Sequence, residues 1–501
     1  MKFDLLFNKY LYEKPLVSSK ALYDLNVINF AEKLLGKNED LKDIFCSVLS
    51  SQLNNSEDIE KRRQIINDYM RNPGSVDKMI RICDIARRIK PEERKTLYQK
   101  IDAIKRMQIN YSVVISILEC VDELGQTIKT YNYRSNELSE LSRFFTETDK
   151  FAELRRVISH LYSQYSDVKS IKGNIRINKH GFFTNMKISD INGAAKSKLF
   201  GNPVITNPLK KKSSAKTYGV VDYSDDISLK SYVNGIKDKA IFDFCGTLSS
   251  IHAQFKELFK SLYDQLKFYK AAIIYEQYLI SNRLTHCTPE IDEGCMCIKA
   301  DDVYFLPLVD NENTADIVAN NFESGNDNIF LISGHNRGGK TIFVKSIGFS
   351  QLMAQAGLSV PAKYYRSSAF NYILTHFPTS EDETGSIHSL FEYELVRLHN
   401  DMENINDKSL IIMNESFSST TEAEGEIISS DFLCAISAIN NITFFVTHFY
   451  NLANNIDAAI NARLDKNAHA VNLTTSESDA YKIERGNPSF CKSVSLEDFL
   501  D

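Results

Sequence analysis

No run of about 18 consecutive apolar residues occurs in this chain of 501, so no membrane-spanning helix is expected. Met1 to Lys14 alternates charges with short apolar pairs and lacks the apolar stretch of a signal peptide, so the expected location is cytoplasmic. A disulfide framework is not indicated either, since nine cysteines, an odd number spread along the chain, fit reduced thiols. Cys287, Cys295 and Cys297 form the one cluster. A structural zinc site needs four ligands, and His286 would have to be the fourth, so incidental thiols are the expected reading. Internal repeats and low-complexity tracts are missing as well. The net charge of -6 excludes a chain that is basic throughout, but a global sum hides local fields.

One segment is strongly basic. Between Lys169 and Tyr218, eleven Lys and Arg residues stand against the single acid Asp190, a local charge of +10. Its cations include Lys196, Lys198, Lys210, Lys211, Lys212 and Lys216. Gly, Asn and Pro become frequent here, and the alternation in Ile175-Arg176-Ile177-Asn178 and Met186-Lys187-Ile188 predicts small strands. The flanking regions differ. From Leu41 to about Tyr165, apolar residues recur at spacings of three and four, as in Ile101, Ile104, Met107 and Val114, Ile117, Leu118, Val121, with connections at Pro73-Gly74 and Lys90-Pro91. Helical pattern returns near Asp225. From Thr247 to Thr285, neither Gly nor Pro interrupts a stripe of Phe255, Leu258, Phe259, Leu262, Leu266, Tyr269 and Ile273. A continuous helix over those residues would be about 58 Å long. That reach suits a projecting lever with the basic insertion at its far end better than a pair of core helices.

After Pro289 the pattern is that of an α/β domain, with strands expected at Val303 to Leu306, Ile329 to Ser333, Leu410 to Met413 and Thr443 to Thr447. The second of these runs into Gly334-His335-Asn336-Arg337-Gly338-Gly339-Lys340-Thr341, a P-loop at a sheet edge, followed by a helix from Ile342 to Ala356. A strand, a glycine-rich turn and a helix N-terminus aim backbone N–H groups and the positive dipole end at one spot, which suits phosphates. Gly334, Asn336, Gly338 and Gly339 form the cradle, Lys340 reaches the β and γ phosphates, and Thr341 offers its hydroxyl to Mg²⁺. The reading is ATP with Mg²⁺ as cofactor.

The next strand ends Met413-Asn414-Glu415. Glu415 has the position of a catalytic base that activates the attacking water. Asn414 stands where a metal-holding aspartate is usual. An amide accepts a hydrogen bond from a metal-bound water but adds no charge, so Mg²⁺ is expected to be held less tightly. His448 follows the strand Thr443 to Thr447, within expected reach of a γ-phosphate beside Glu415. Ser389 leads into a helical stretch, another phosphate-binding device.

These residues resemble the MutS family of DNA mismatch repair ATPases, a branch of the ABC ATPases. The loop Gly334 to Thr341 resembles the family's Gly-Pro-Asn-Met-Gly-Gly-Lys-Ser, Ser389-Leu390-Phe391-Glu392-Tyr393-Glu394-Leu395 its Ser-Thr-Phe-x-x-Glu-Met, and Thr447 to Leu452 its Thr-His-Tyr-x-Glu-Leu. Ile317-Val318-Ala319-Asn320 resembles the adenine-contacting segment ahead of the P-loop, which assigns Ile317 and Val318 to nucleotide binding. The resemblance implies a homodimer with two nucleotides between its ATPase domains, Ser389 of one subunit completing the site of the other. It also implies a helical core and lever, and a basic clamp gripping the backbone of duplex or branched DNA, in line with phosphate neutralisation by Lys and Arg.

The expected fold class is therefore α plus α/β, multidomain: an N-terminal segment (1–40), a helical core/lever domain (41–168 and 219–299) with a small β-containing clamp insertion (169–218), and a P-loop ABC-type ATPase domain (300–501). The lever-type region begins so early that no mismatch-reading or connector domain is expected. Asn414, Arg337 and Phe417-Ser418-Ser419-Thr420, where the family has Gly-Arg-Gly-Thr, point to slow hydrolysis. The expected function is a MutS-like, DNA-clamping ATPase without mismatch reading. The alternative is an ATP-gated dimeric scaffold with little hydrolysis and a protein partner, while a metabolic P-loop kinase leaves Ser389 and His448 unexplained.

Overall fold

Helices fill the described chain up to Ser281 except for one hairpin. They are α1 (Ala21–Asp24), α2 (Val27–Leu35), α3 (Glu39–Ser50), α4 (Ser56–Arg71), α5 (Pro73–Arg88), α6 (Ala103–Lys129), α7 (Asn136–Thr146) and α8 (Lys150–Ser166), then the strands β1 (Ser170–Ile177) and β2 (Phe183–Asn192), then α9 (Ile227–Ser281). This computed structural model describes residues 3–7, 16–91, 103–146, 149–166, 170–177, 183–192, 227–309, 317–378, 390–449, 451–455, 469–476 and 479–488. Among them no helix is long and apolar enough to cross a membrane.

The chain divides into two compact units, Met1–Phe3 with Lys78–Asn132 and Ser139–Tyr263, and Asp4–Asp77 with Tyr133–Leu138 and Asp264–Asp501. Residues 4–77 thus belong to the unit that carries the P-loop. In the other unit, Met107, Val114 and Leu118 of α6, Ile158 of α8 and Ile241, Phe244 and Leu248 of α9 form one buried core. The expected apolar stripe is buried from Leu258 to Ile273, on a single helix of 55 residues. At 1.5 Å per residue it is about 80 Å long, longer than expected because helix extends back to Ile227. Within the basic segment, β1 and β2 pair antiparallel, with irregularities at Lys172/Gly173 and Arg176/Ile177. Lys196, Lys198, Lys210, Lys211, Lys212 and Lys216 lie outside the described residues.

The second unit continues with β3 (Glu290–Asp292), β4 (Ile298–Val303), β5 (Asn320–Glu323), β6 (Ile329–Ser333), α10 (Lys340–Gln355), β7 (Tyr364–Ser368), β8 (Tyr372–His376), α11 (Leu390–Met402), β9 (Ser409–Asn414), α12 (Glu422–Ile436), β10 (Asn441–Val446), β11 (Ala470–Thr475) and β12 (Ile483–Arg485). Strands β6, β8, β9 and β10 are buried at every position, the signature of a parallel sheet covered on both faces. The sheet order is β12-β11-β6-β10-β9-β8, with β12 alone antiparallel. On one face, Ile329, Leu331, Ile411, Met413 and Phe445 pack under Leu398 of α11 and Phe432 and Leu433 of α12. On the other, Phe330 and Phe444 meet Phe322, with ring centroids 4.9 and 5.0 Å away.

Two expectations change here. The P-loop strand β6 is interior to the sheet, so the loop sits at the carboxyl ends of the strands and not on an edge strand. The strand expected at Val303 to Leu306 lies earlier, at β4, and Leu306–Leu308 forms a 3-10 turn around Pro307. A second sheet has the order β3-β7-β4-β5.

Helix α10 is buried along nearly its whole length, and its polar residues are tied to the structure around it. Gln351 Nε2 donates to Ser368 O (3.0 Å) and Gln355 Nε2 to Phe370 O (2.9 Å) and Leu53 O (2.6 Å). At Gly348 an added Cβ would approach Leu25 Cδ2 to 2.6 Å and Ile412 Cδ1 to 2.8 Å, so the missing side chain lets α10 lie close to the sheet. The helix that opens at the P-loop lysine is thereby fixed from all sides.

Candidate functional site

The chain leaves β6 at Gly334 with φ +135 and enters α10 at Gly339 with φ +89, conformations that glycine adopts without steric cost. Arg337 holds the left-handed region at φ 64 in between. The loop is closely backed. A Cβ on Gly334 or Gly338 would come within 2.5 Å of Thr475, at the end of β11, and one on Gly339 would meet Tyr481 at 3.1 Å. Thr475 Oγ1 also lies 3.1 Å from His335 Nδ1. Neither Thr475 nor Tyr481 was anticipated from sequence.

Lys340 is buried and curls back over its own loop, Nζ donating to Gly334 O (2.8 Å) and His335 O (3.1 Å). Thr341 Oγ1 donates to Asn414 Oδ1 at 2.9 Å, so the two residues expected at the metal are brought together. The amide takes the place of an acceptor carboxylate without its charge. Thr341 hydroxyl, Asn414 amide oxygen and Glu415 carboxylate are hard oxygen donors, a set that fits Mg²⁺ completed by phosphate oxygens and water.

Glu415 follows β9 at φ 51, and Phe417 stands at φ 65. Two non-glycine residues in the left-handed region cost on the order of 1–3 kcal/mol each and persist where surrounding structure dictates them. Here Glu415 N donates to Val446 O at 2.9 Å. Because β10 lies between β6 and β9, the residue after β10 falls between the P-loop and Glu415: His448 Nε2 is 2.9 Å from Glu415 Oε1. That hydrogen bond, aided by the charge of Lys340, holds the Glu415 carboxyl below its ordinary range against the opposing effect of burial.

Asn336, Arg337, Gly338, Gly339, Lys340, Thr341, Glu415 and Tyr481 line one cleft of about 210 Å³. Ile317 and Val318 are not among its lining residues. Their neighbours reach its rim, since Asn320 Nδ2 donates to Tyr481 O (3.4 Å) and Lys482 Nζ donates to Ala319 O. Ser389 lies outside the described residues, directly before the first residue of α11. A polar cluster under that helix joins it to the turn after Glu415. Ser419 Oγ donates to Glu394 Oε2 at 2.7 Å, and the buried His376 ring contacts Ser416 Oγ (2.9 Å) and Glu394 O (3.3 Å).

Comparison with known proteins falls on the same elements. Residues 330–493 match the family model MutS domain V. The chain is 27% identical to MutS protein homolog 4 of Mus musculus over 376 residues, 72% of this chain and 37% of that protein. It is 24% identical to the DNA mismatch repair protein MutS of Clostridium tetani over 478 residues, covering 88% of this chain and 49% of the relative. With the Endonuclease MutS2 of Listeria monocytogenes it shares 32% identity over 187 residues, 36% and 22% of the respective chains. The chain thus spans half or less of the length of these relatives.

Proposed function

Because the chain belongs to the MutS family, we propose that its cleft binds ATP with Mg²⁺ and hydrolyses it at a homodimer interface, and that the basic segment 169–218 clamps DNA. One observation carries the enzymatic part: Lys340, Thr341 and Glu415 line the same cleft, with His448 2.9 Å from Glu415. Backbone N–H groups of Gly338 to Thr341 and the α10 dipole receive the phosphates, and Lys340 exchanges its loop carbonyls for phosphate oxygens. Tyr481, 54% exposed on the rim, offers a ring face to the base. Mg²⁺, held through Thr341 and Asn414, supplies charge neutralisation on the phosphates.

Glu415, kept ionised by its bond to His448, takes the proton of the attacking water, and in this reading His448 hydrogen-bonds the oxygen on which charge builds. With an amide at 414, the metal is bound more weakly than beside a carboxylate, and turnover is slow. Domain roles follow the same reading: core and lever from the helical region, Ser389 completing the site of a second subunit. DNA as the partner is supported by the local charge of +10, since cation clusters release counterions from phosphate backbones.

The test is steady-state ATP turnover with and without duplex DNA, beside Glu415→Gln. Turnover that responds to DNA and falls at least about a hundredfold in the variant, the lower range for loss of a general base, supports the proposal. ATP-dependent dimerisation with no turnover above the variant and no DNA binding at low salt would replace it with the ATP-gated scaffold.

A further inference from the structure

The turn that joins β3 to β4 carries a cluster unrelated to the nucleotide cleft. Cys295 Sγ lies 3.2 Å from Cys297 Sγ and 3.4 Å from Asp292 Oδ2. The three ligand atoms are all within 4.8 Å of one another. From these positions we propose that Asp292, Cys295 and Cys297 form a binding site for a thiophilic d¹⁰ cation, zinc or cadmium, with a fourth position open to solvent.

The membership differs from the one suggested by sequence. Cys287 is held away by a two-way backbone bridge to Val360, and His286 Nδ1 is bonded to Leu284 O at 2.7 Å. Asp292 takes their place because the turn folds back on itself: Gly294 N donates to Asp292 Oδ1 at 2.7 Å.

The site is built before any ion arrives. Ser368, at the end of β7, accepts from Cys297 N (3.0 Å), donates from its hydroxyl to Cys295 O, and donates from its own N–H to Cys297 O (2.9 Å). One buried residue therefore fixes the backbone of both cysteines. The far side of the turn is tied to α4, where Ser56 N and Oγ each donate to Glu293 Oε1 at 2.7 Å. In a tetrahedral site with metal–sulfur bonds of about 2.3 Å, adjacent ligand atoms are roughly 3.5–3.8 Å apart, so the pairs at 3.2 and 3.4 Å need to open by no more than about half an ångström.

Two thiolates and one carboxylate carry three negative charges and a soft pair of donors, a set that selects zinc or cadmium over Mg²⁺ or Ca²⁺. Arg366 opposes the cation, since its guanidinium is bonded to Asp292 Oδ2. The ion must displace this contact, which makes the site a moderate binder and gives a second handle on it.

The experiment is titration of the full-length, reduced, metal-stripped protein with Cd²⁺, following thiolate-to-cadmium absorbance. The expected result is one Cd²⁺ per chain, competed by Zn²⁺, lost in Cys295→Ser/Cys297→Ser and retained in Cys287→Ser. Loss of the carboxylate ligand in Asp292→Asn is expected to weaken binding by about tenfold or more, while Arg366→Met strengthens it. Far-UV circular dichroism confirms that the variants fold, and Zn²⁺ should raise the thermal midpoint of wild type but not of the double variant. Equal uptake by wild type and the double variant, or by neither, overturns the site; unchanged affinity in Asp292→Asn overturns the three-ligand assignment.

Discussion

Acidification is expected to weaken the unit that carries the cleft through one buried residue, His376. Its ring is fully buried at the end of β8. Nε2 faces Glu394 O at 3.3 Å, and the Ser416 hydroxyl lies within reach of both Nδ1 (2.9 Å) and His376 O (3.1 Å). Burial, reinforced by the Arg397 guanidinium, lowers its pKa from 6.5 to about 4. The unfolded chain takes up a proton near pH 6.5 that the folded chain refuses until about pH 4, so stability is lost as pH falls through that window. The linkage relation gives a loss of about 2 kcal/mol at pH 5 and about 3 kcal/mol at pH 4, relative to neutral pH. Other groups titrate in the same range, and they cancel when wild type is compared with His376→Gln. Urea unfolding of both proteins at pH 7.5, 6 and 5 measures that difference. Wild type should lose about 2 kcal/mol more than the variant between pH 7.5 and 5. Parallel pH dependences would refute a lowered pKa, because the folded ring would then titrate like the unfolded one; a ring already protonated on both nitrogens, donating to Ser416 Oγ and Glu394 O, would instead make wild type gain stability on the variant as pH falls.

Two further outcomes test the cleft and the clamp. Gly338→Ala drives a methyl to 2.5 Å from Thr475 Cγ2 and 3.0 Å from His335 O, overpacking that costs about 1–3 kcal/mol; a fluorescent ATP analogue should bind at least about tenfold more weakly on that basis, and adding Thr475→Ser should recover part of the affinity. Under the clamp proposal, replacing Lys210, Lys211 and Lys212 with Ala should flatten the dependence of log affinity for duplex DNA on log salt by about 0.9 for each phosphate those lysines neutralise, whereas an unchanged slope removes them from the interface.

The P-loop was legible because its function is local: strand, turn and helix are contiguous, and Gly334 and Gly339 are required by their own backbone angles. Strand β4 was misplaced for a physical reason. Its burial alternates, with Ile298, Ala300 and Val303 inward around Lys299, Asp301 and Asp302, while the more apolar Tyr304, Phe305 and Leu306 after it are buried without belonging to a strand and run into the turn around Pro307. The long helix could be anticipated from a long stretch without breakers. Helical pattern is legible from near Asp225, close to the observed start at Ile227, but its continuity is not, because Gly235 and Gly246 lie inside the helix and each costs about 1 kcal/mol, which local pattern counts against continuation.

Spatial neighbours from distant sequence are what pattern reading misses. Thr475 backs the P-loop because β11 pairs with β6, and Tyr481 reaches the cleft on the turn that brings β12 back along β11; nothing near either residue announces a phosphate or a base. His448 shows the opposite case. Its place after a strand could be read, but its contact with Glu415 depends on β10 lying between β6 and β9, a matter of strand order. The same limit governs the cysteines: the sequence offered Cys287, with His286 as a would-be fourth ligand, and pointed to incidental thiols as the expectation, whereas the fold brings Asp292 to Cys295 and Cys297 through a turn held by Ser368 and Ser56. A motif names the groups a reaction or an ion needs; the register of strands and the closure of turns decide which of those groups meet.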